Sequence, residues 1–428
     1  MTVSNPAEGT SAAELQARFS TSDEITDALA DEAREMVGVP LRLEQWNTEA
    51  ARDNIRHYAL GIGDLNPLWL DADYGLQSVH GTTLAPPTFL YSVYCGLAPG
   101  LGGLPALLTG AQWRFFDWVR LGDELRAAAT IDDVEVVENR RSEKRIVQHG
   151  RLEYFRVRGS GPEVKVAECR QEVVRTPGPG RTGALKHAPR PPHRYSDEEL
   201  DEIERAVLQV RPRGSYSRAW EDVRSGAALE RVVKGPYTRM TMVSYYAGAP
   251  GSPGYRAFDA WWRNRALAVE NPGALPNTFP PEYFAGTGVT SMGHHDAEAA
   301  QTIGMPGVYD NGNQRIGLMA TVLTNWIGDA GAISEYDHKI VRPVTLGDTL
   351  YIDGTVVSKE PAASTEGEVM GWDPAAFGRV DIRLQARNQL DEVVSVGGAR
   401  VLLPRRESSD TVDAPEHGAN HLHDGVEP

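Results

Sequence analysis

The 428-residue chain has only two cysteines, Cys95 and Cys169. Neither a disulfide framework nor a cysteine-built zinc cluster is therefore available, and a reducing cytoplasm is the expected compartment. Long apolar runs are also missing. The stretch Gly81–Trp113 carries no charge, but Pro86, Pro87, Pro99 and Pro105, with Gly96, Gly100, Gly102 and Gly103, interrupt any helix long enough to span a membrane. No membrane association is expected. The opening Met1-Thr2-Val3-Ser4-Asn5 has no basic segment leading into an apolar one, so no secretory signal is expected either. Positive charge is scarce: 43 Lys and Arg face 59 Asp and Glu, a net −16 that repels phosphate backbones and argues against a nucleic-acid partner. No dinucleotide fingerprint, phosphate loop or metal-ligand spacing occurs, so no cofactor and no metal are expected. Gly248-Ala249-Pro250-Gly251 lacks the strand and helix that a nucleotide loop needs. His417, His421 and His423 have no carboxylate or thiolate to join them around an ion.

What is present is ordinary globular composition on a chain long enough for more than one core. Residues 1–37 form an acidic extension with one expected helix after Thr21-Ser22-Asp23-Glu24. Residues 38–176 form a first dense unit. Pro177-Gly178-Pro179-Gly180 opens a linker over 177–215, in which Ser196-Asp197-Glu198-Glu199 has capping-box spacing ahead of Leu200, Ile203, Val207 and Val210. A short amphipathic helix is expected there. Residues 216–405 form a second unit, and 406–428 a polar tail expected to be disordered.

The two dense units repeat. Val119-Arg120-Leu121-Gly122-Asp123-Glu124-Leu125 matches Val344-Thr345-Leu346-Gly347-Asp348-Thr349-Leu350 at an offset of 225. The same offset carries Trp69 onto His294, Asp71 onto Asp296 and Pro87 onto Gly312. Each copy has a polar loop, then an apolar segment, then strand-like runs. In the second copy Leu318, Met319, Val322 and Leu323 spread around the whole helical circumference of Ile316–Trp326, so that helix must be buried on all sides. Val380, Ile382, Leu384 and Ala386 then alternate with Arg379, Asp381, Arg383, Gln385 and Arg387. In the first copy Thr130–Glu138, Arg145–Val157 and Val164–Val174 read as antiparallel strands, and the uncharged stretch reads as a buried helix followed by a glycine-rich loop. A buried helix wrapped by a curved antiparallel sheet is an α+β arrangement that covers both elements.

This plan resembles the hotdog fold, and more closely the MaoC-like hydratase/dehydratase family in its double-hotdog form. The motifs that carry the resemblance are Gly63-Asp64-Leu65-Asn66-Pro67-Leu68-Trp69-Leu70-Asp71 and Leu84-Ala85-Pro86-Pro87-Thr88-Phe89 in the first unit. In the second they are His294-His295-Asp296, Gly304-Met305-Pro306-Gly307, Tyr309-Asp310-Asn311-Gly312, and Arg342-Pro343 with Leu346-Gly347-Asp348. The resemblance implies an acyl thioester substrate on coenzyme A or acyl carrier protein, and addition of water to a 2-enoyl group or its removal from a 3-hydroxyacyl group. It implies an Asp and a His five residues later sharing the acid–base work, with the N-terminus of the buried helix stabilising the enolate oxygen. Gly312 stands at that N-terminus, and Tyr309, Asn311 and Arg315 stand beside it as the implied substrate-binding group. Two units in one chain already form a hotdog pair, so a monomer and a homodimer are both compatible with the fold.

Neither unit carries the whole dyad. Asp64 has Trp69 where the histidine belongs; His294 has Val289 where the aspartate belongs. The candidate catalytic group is therefore His294 as acid/base, with Asp310 or Asp296 orienting it or sharing proton transfer. The bland alternatives are specific. Asp310 and Asp296 suit helix caps, Asp64-Leu65-Asn66-Pro67 suits a turn, Arg315 suits a surface ion pair, and His80 and His338 suit structural roles. Glu282, in the tryptophan-rich stretch 248–293, is a further candidate for the missing acid. Beside the hydratase/dehydratase expectation stand a non-catalytic acyl-thioester-binding or partner-supporting protein, and a natural-product dehydratase or cyclase on the same fold.

Overall fold

The computed structural model describes residues 24–41, 43, 45–96, 101, 104–138, 144–159, 161–177, 188–249, 259, 263, 292–362 and 373–406. The tail histidines, Val289, Glu282 and most of the tryptophan-rich stretch lie outside the described residues.

The helices in chain order are α1 (Asp27–Glu35), α2 (Arg52–Gly61), α3 (Pro67–Leu70), α4 (Ala72–Gln77), α5 (Asp197–Gln209), α6 (Arg239–Gly248), α7 (Ala297–Thr302) and α8 (Gly312–Ile327). The strands are β1 (Ala106–Phe115), β2 (Glu124–Glu138), β3 (Lys144–Val157), β4 (Val164–Arg175), β5 (Val232–Lys234), β6 (Ala332–Ile340), β7 (Leu350–Pro361), β8 (Phe377–Arg387) and β9 (Val393–Pro404). All nine join one antiparallel sheet in the order β2-β3-β4-β1-β6-β9-β8-β7-β5. The first four strands repeat as β7-β8-β9-β6 in mirror order, so two hotdog sheets meet edge to edge through β1 and β6. In that central pairing Gln112 faces Asp337, its own counterpart at the 225-residue offset, while Ala111 faces His338 and Trp113 faces Tyr336. An internal two-fold relation therefore passes through the Gln112–Asp337 pair. The fold is a double hotdog.

Helix α8 shows why that architecture is stable. Thirteen of its sixteen residues are buried, and each buried Leu, Ile or Met contributes about 1.5–3 kcal/mol through lost water contact. Gln314, fully buried in it, is satisfied: it donates to the carbonyls of Gly61 (3.0 Å) and Thr241 (3.1 Å) and accepts from the Tyr237 hydroxyl (2.8 Å). A Cβ on Gly317 would come within 2.7 Å of Ile62 Cγ2, so the glycine lets α8 lie against the first unit. The alternation expected for β8 is observed, with Val380, Ile382, Leu384 and Ala386 facing the core. Helix α5 starts with the expected capping box between Ser196 and Glu199.

The first unit departs from expectation. Among the described residues its uncharged stretch gives a 3-10 helix at Pro87–Ser92 and then β1. Pro86 and Pro87 remove two backbone donors at the helix start, and β1 occupies the sheet centre, paired with β4 on one edge and with β6 on the other.

Candidate active site

A cavity of about 250 Å³ opens at the N-terminus of α8. Its walls come from both units: Leu107, Leu108 and Thr109 of β1 on one side, and His294, Met305, Tyr309–Asn313, Arg315 and Ile340–Pro343 on the other. Six of the seven residues named from the sequence, His294, Tyr309, Asp310, Asn311, Gly312 and Arg315, line it together.

His294 ends a 3-10 turn, Met292–His294, and is buried. Its Nδ1 lies 2.9 Å from the Tyr309 carbonyl oxygen. A carbonyl only accepts, so Nδ1 carries the proton and Nε2 keeps the lone pair. Burial pulls the imidazole down to about 4, against a smaller upward pull from the Tyr309 carbonyl. At neutral pH the ring is an uncharged base. The Tyr309 ring packs against it with centroids 4.4 Å apart.

Gly312 is the first residue of α8. Asn311 caps the helix, its side-chain oxygen accepting from Asn313 N (2.9 Å) and Gln314 N (3.4 Å). The Gly312 N–H has no acceptor among the described residues and carries the positive end of the helix dipole into the cavity. A Cβ at this position would stand 3.0 Å from Ile340 Cδ1 and 3.2 Å from Leu108 Cδ2. The glycine thus keeps the cavity wall close to the donor. Asn311 also donates to the Tyr246 hydroxyl (3.3 Å), which brings α6 to the rim of the site.

Asp310 and Arg315 form a buried, two-pronged ion pair, not the surface pair that the sequence suggested for Arg315. Arg315 Nε donates to Asp310 Oδ2 (2.5 Å), Nη2 donates to Oδ1, and Nη1 donates to the carbonyls of Arg342 (2.6 Å) and Val394 (3.3 Å). Four of the five guanidinium donors are committed within the protein. Burial raises the Asp310 carboxyl, and the adjacent guanidinium pulls back against that rise. The Asp310 oxygens bond to Arg315 and the imidazole bonds to the Tyr309 carbonyl, so the orienting partner of the ring is a backbone carbonyl.

Asp296 is the sequence candidate that the structure leaves outside the cavity. It is exposed and caps α7, accepting from Ala299 N at 2.7 Å. Asp71, its counterpart, caps α4 in the same way, accepting from Asp73 N (2.9 Å) and Tyr74 N (3.1 Å). Replacing Asp296 by Ala is expected to cost about 1 kcal/mol of stability, the usual value of such a cap. A melting curve checks the loss, and turnover should stay close to that of the parent.

In the first unit the equivalent place is nearly filled. A void of about 20 Å³ remains, lined by Ala85, Pro86, Pro87, Leu90, Phe115, Asp117, Trp118, Val119 and Ile333. Shifted by 225, all but Val119 fall on residues lining the larger cavity or, for Ile333, on Leu108 across the two-fold. Ala85 and Leu90 replace Asp310 and Arg315, Trp69 replaces His294, and Pro87, without an N–H, replaces Gly312. Asp64 is buried but serves as a turn and a tie to the neighbouring helix. It accepts from Asn66 N (3.2 Å) and from the Thr324 hydroxyl of α8 (2.8 Å). Asp64 and His294 do not meet.

Sequence reasoning missed the first-unit wall. Leu107, Leu108 and Thr109 lie 185 or more positions before His294. The only signal was the edge-to-edge pairing implied by a duplicated hotdog.

The duplicated hotdog holds one open pocket at a helix N-terminus among the described residues. Residues 35–150 match the family described as the FAS1-like dehydratase domain region. The chain is 33% identical over 95 residues to a UPF0336 protein of Streptomyces griseus, covering 20% of this chain and 63% of that one. A UPF0336 protein of Streptomyces coelicolor matches at 33% identity with the same coverages. The chain therefore spans less than two thirds of the length of these curated relatives. A solved structure described as a MaoC-like dehydratase superposes with a TM-score of 0.57 at 17% identity, over 87% of this chain and 100% of that one, and shares the fold. The likeness to the MaoC-like dehydratase is one of fold, and the dehydratase-region match lies within the first part of the chain. No helix among the described residues is long and apolar enough to cross a membrane.

Proposed function

We propose that the protein is a hydratase/dehydratase acting on an acyl thioester, with its chemistry confined to the second unit. The observation that carries this reading is the contrast between the two related pockets. One is open and brings a neutral imidazole and a free helix-terminal N–H together; the other has lost both groups and its volume.

In the hydration direction, water in the cavity gives a proton to His294 Nε2 as its oxygen attacks C3 of a 2-enoyl thioester. The C2–C3 π electrons move toward the thioester carbonyl, and the oxygen that becomes negative is met by the Gly312 N–H. The imidazolium returns the proton to C2. Because burial disfavours the charged ring, the imidazolium gives up its proton more readily than a solvated one. One group serving both transfers is consistent with Asp310 being committed to Arg315. Leu107, Leu108, Met305 and Ile340 offer an apolar wall for an acyl chain. The thioester is carried by coenzyme A or acyl carrier protein, and a monomer or a homodimer presents the same single site.

The test is turnover of a graded series of 2-enoyl thioesters on each carrier, followed by loss of enoyl absorbance and mass of the product. Hydration of at least one member is expected. Tight binding across the series with no change in mass would instead favour the second reading, an acyl-thioester-binding protein, for which the incomplete dyad in both units is the argument.

A further inference from the structure

The two-fold comparison isolates one buried ion pair, Asp310 with Arg315, that the first unit lacks. We infer that Asp310 and Arg315 are positioning residues: their ion pair clamps the segment 309–312, holding the Tyr309 carbonyl on His294 and the Gly312 N–H in one fixed relation. This rests on the proposed hydratase/dehydratase reading of the cavity and replaces the expectation that Asp310 transfers protons and Arg315 contacts substrate.

Connectivity gives the first argument. Tyr309 holds the base, Gly312 holds the donor, and Asp310 lies between them. Arg315, one turn into α8, reaches back to Asp310 and is itself pinned to the carbonyls of Arg342 and Val394. A buried two-pronged pair resists both rotation and sliding, because its geometry is planar and its partners have no water to fall back on.

The second argument is that the backbone frame does not need the pair. Asp310 N donates to Val344 O at 2.9 Å, and Ala85 N donates to Val119 O at 2.9 Å. The bridge between Tyr309 and Thr345 recurs as that between Leu84 and Arg120. The first unit builds this frame with Ala85 and Leu90 alone. An ion pair dispensable to the frame is present only where the imidazole and the helix N–H are present. Burying two charges is weak support for a fold, which leaves the geometry of the site as the reason for it.

The full-length protein is prepared as Asp310→Asn, and as the double variant Asp310→Ala with Arg315→Leu that copies the first unit. Two measurements are made on each. Nitrogen NMR of the histidine rings reads the tautomer of His294, without substrate. Steady-state kinetics on a hydrated 2-enoyl-coenzyme A reads kcat and KM. The parent should show the Nδ1–H tautomer. Both variants should fold, lose that single tautomer, and lose kcat by roughly 100-fold, as misplacement of reacting groups does, with KM within about threefold. Loss of turnover with the tautomer unchanged would mean that Asp310 acts in the chemistry itself, and overturns the clamp. Unchanged turnover overturns it as well. If the double variant does not fold, the near-isosteric Asp310→Asn decides alone. Should the parent hydrate no thioester, the proposed function fails, but the tautomer comparison still decides whether the pair positions His294.

Discussion

Replacing His294 by Ala lowers kcat for thioester hydration by about 10²–10⁴-fold, the range that a positioned general base supplies. KM should change little, because the imidazole moves protons during the reaction and does not hold the acyl thioester in the ground state. The fold should survive: the Tyr309 carbonyl loses a donor, a cost of about 1–3 kcal/mol, but a titratable ring leaves the interior. Acid behaviour carries a second signature. In the folded chain His294 titrates at about 4, whereas an unfolded histidine titrates near 6.5. Between those values the unfolded chain binds more protons, so stability rises with pH through the window and is lost as pH falls from about 6.5 toward 4. The difference corresponds to roughly 3 kcal/mol. His338, buried and pulled down to about 3, contributes in the same sense and persists in the variant. Denaturant titrations across that window should therefore show a smaller acid loss in His294→Ala than in the parent. The parent's kcat/KM should hold as pH falls below 6.5 and decline only toward 4. Full activity in His294→Ala removes the base from the mechanism.

The repeat explains how much of this was readable from residues alone. The double hotdog followed from one offset, because Leu-Gly-Asp recurs where each unit needs the same tie. Asp348 accepts from Thr345 N at 2.7 Å, as Asp123 accepts from Arg120 N at 2.8 Å. Helix α8 was legible because an all-round apolar segment has only one solution. The first-unit strand β1 was not. Its residues up to Ala111 carry no charge, so the period-two alternation that marks a strand becomes visible only at Gln112 and Arg114. At the site, chemistry named the right neighbourhood and pairing decided the roles. Asp310 looked like an acid until its oxygens were found on Arg315, and that bond spans five residues of helix start that any of several rotamers would leave unmade. Asp296 kept the cap that its twin Asp71 had already suggested.

The sharpest separation of donor from shape comes at Gly312. Proline there removes the N–H and nothing else from the backbone, and the frame is compatible with it. Asn311 is extended at φ −80° and ψ 126°, as a residue before proline must be, and the first position of a helix tolerates proline. The first unit carries Pro87 at this very place. Proline also adds a Cβ, which meets Ile340 and Leu108, and a Cδ in place of the N–H; Gly312→Ala, with the same Cβ and the N–H intact, separates the crowding by Cβ from the change at the nitrogen. Alanine should raise KM a few-fold by crowding the acyl wall and leave kcat within an order of magnitude. Proline should lose a further 10²–10³-fold in kcat, the usual worth of one oxyanion donor. The ratio of the two variants, not either alone, reports the replacement of the N–H by the proline ring. Equal activities would place enolate stabilisation elsewhere, and Asn313, the next polar side chain along the cavity wall, would become the group to test.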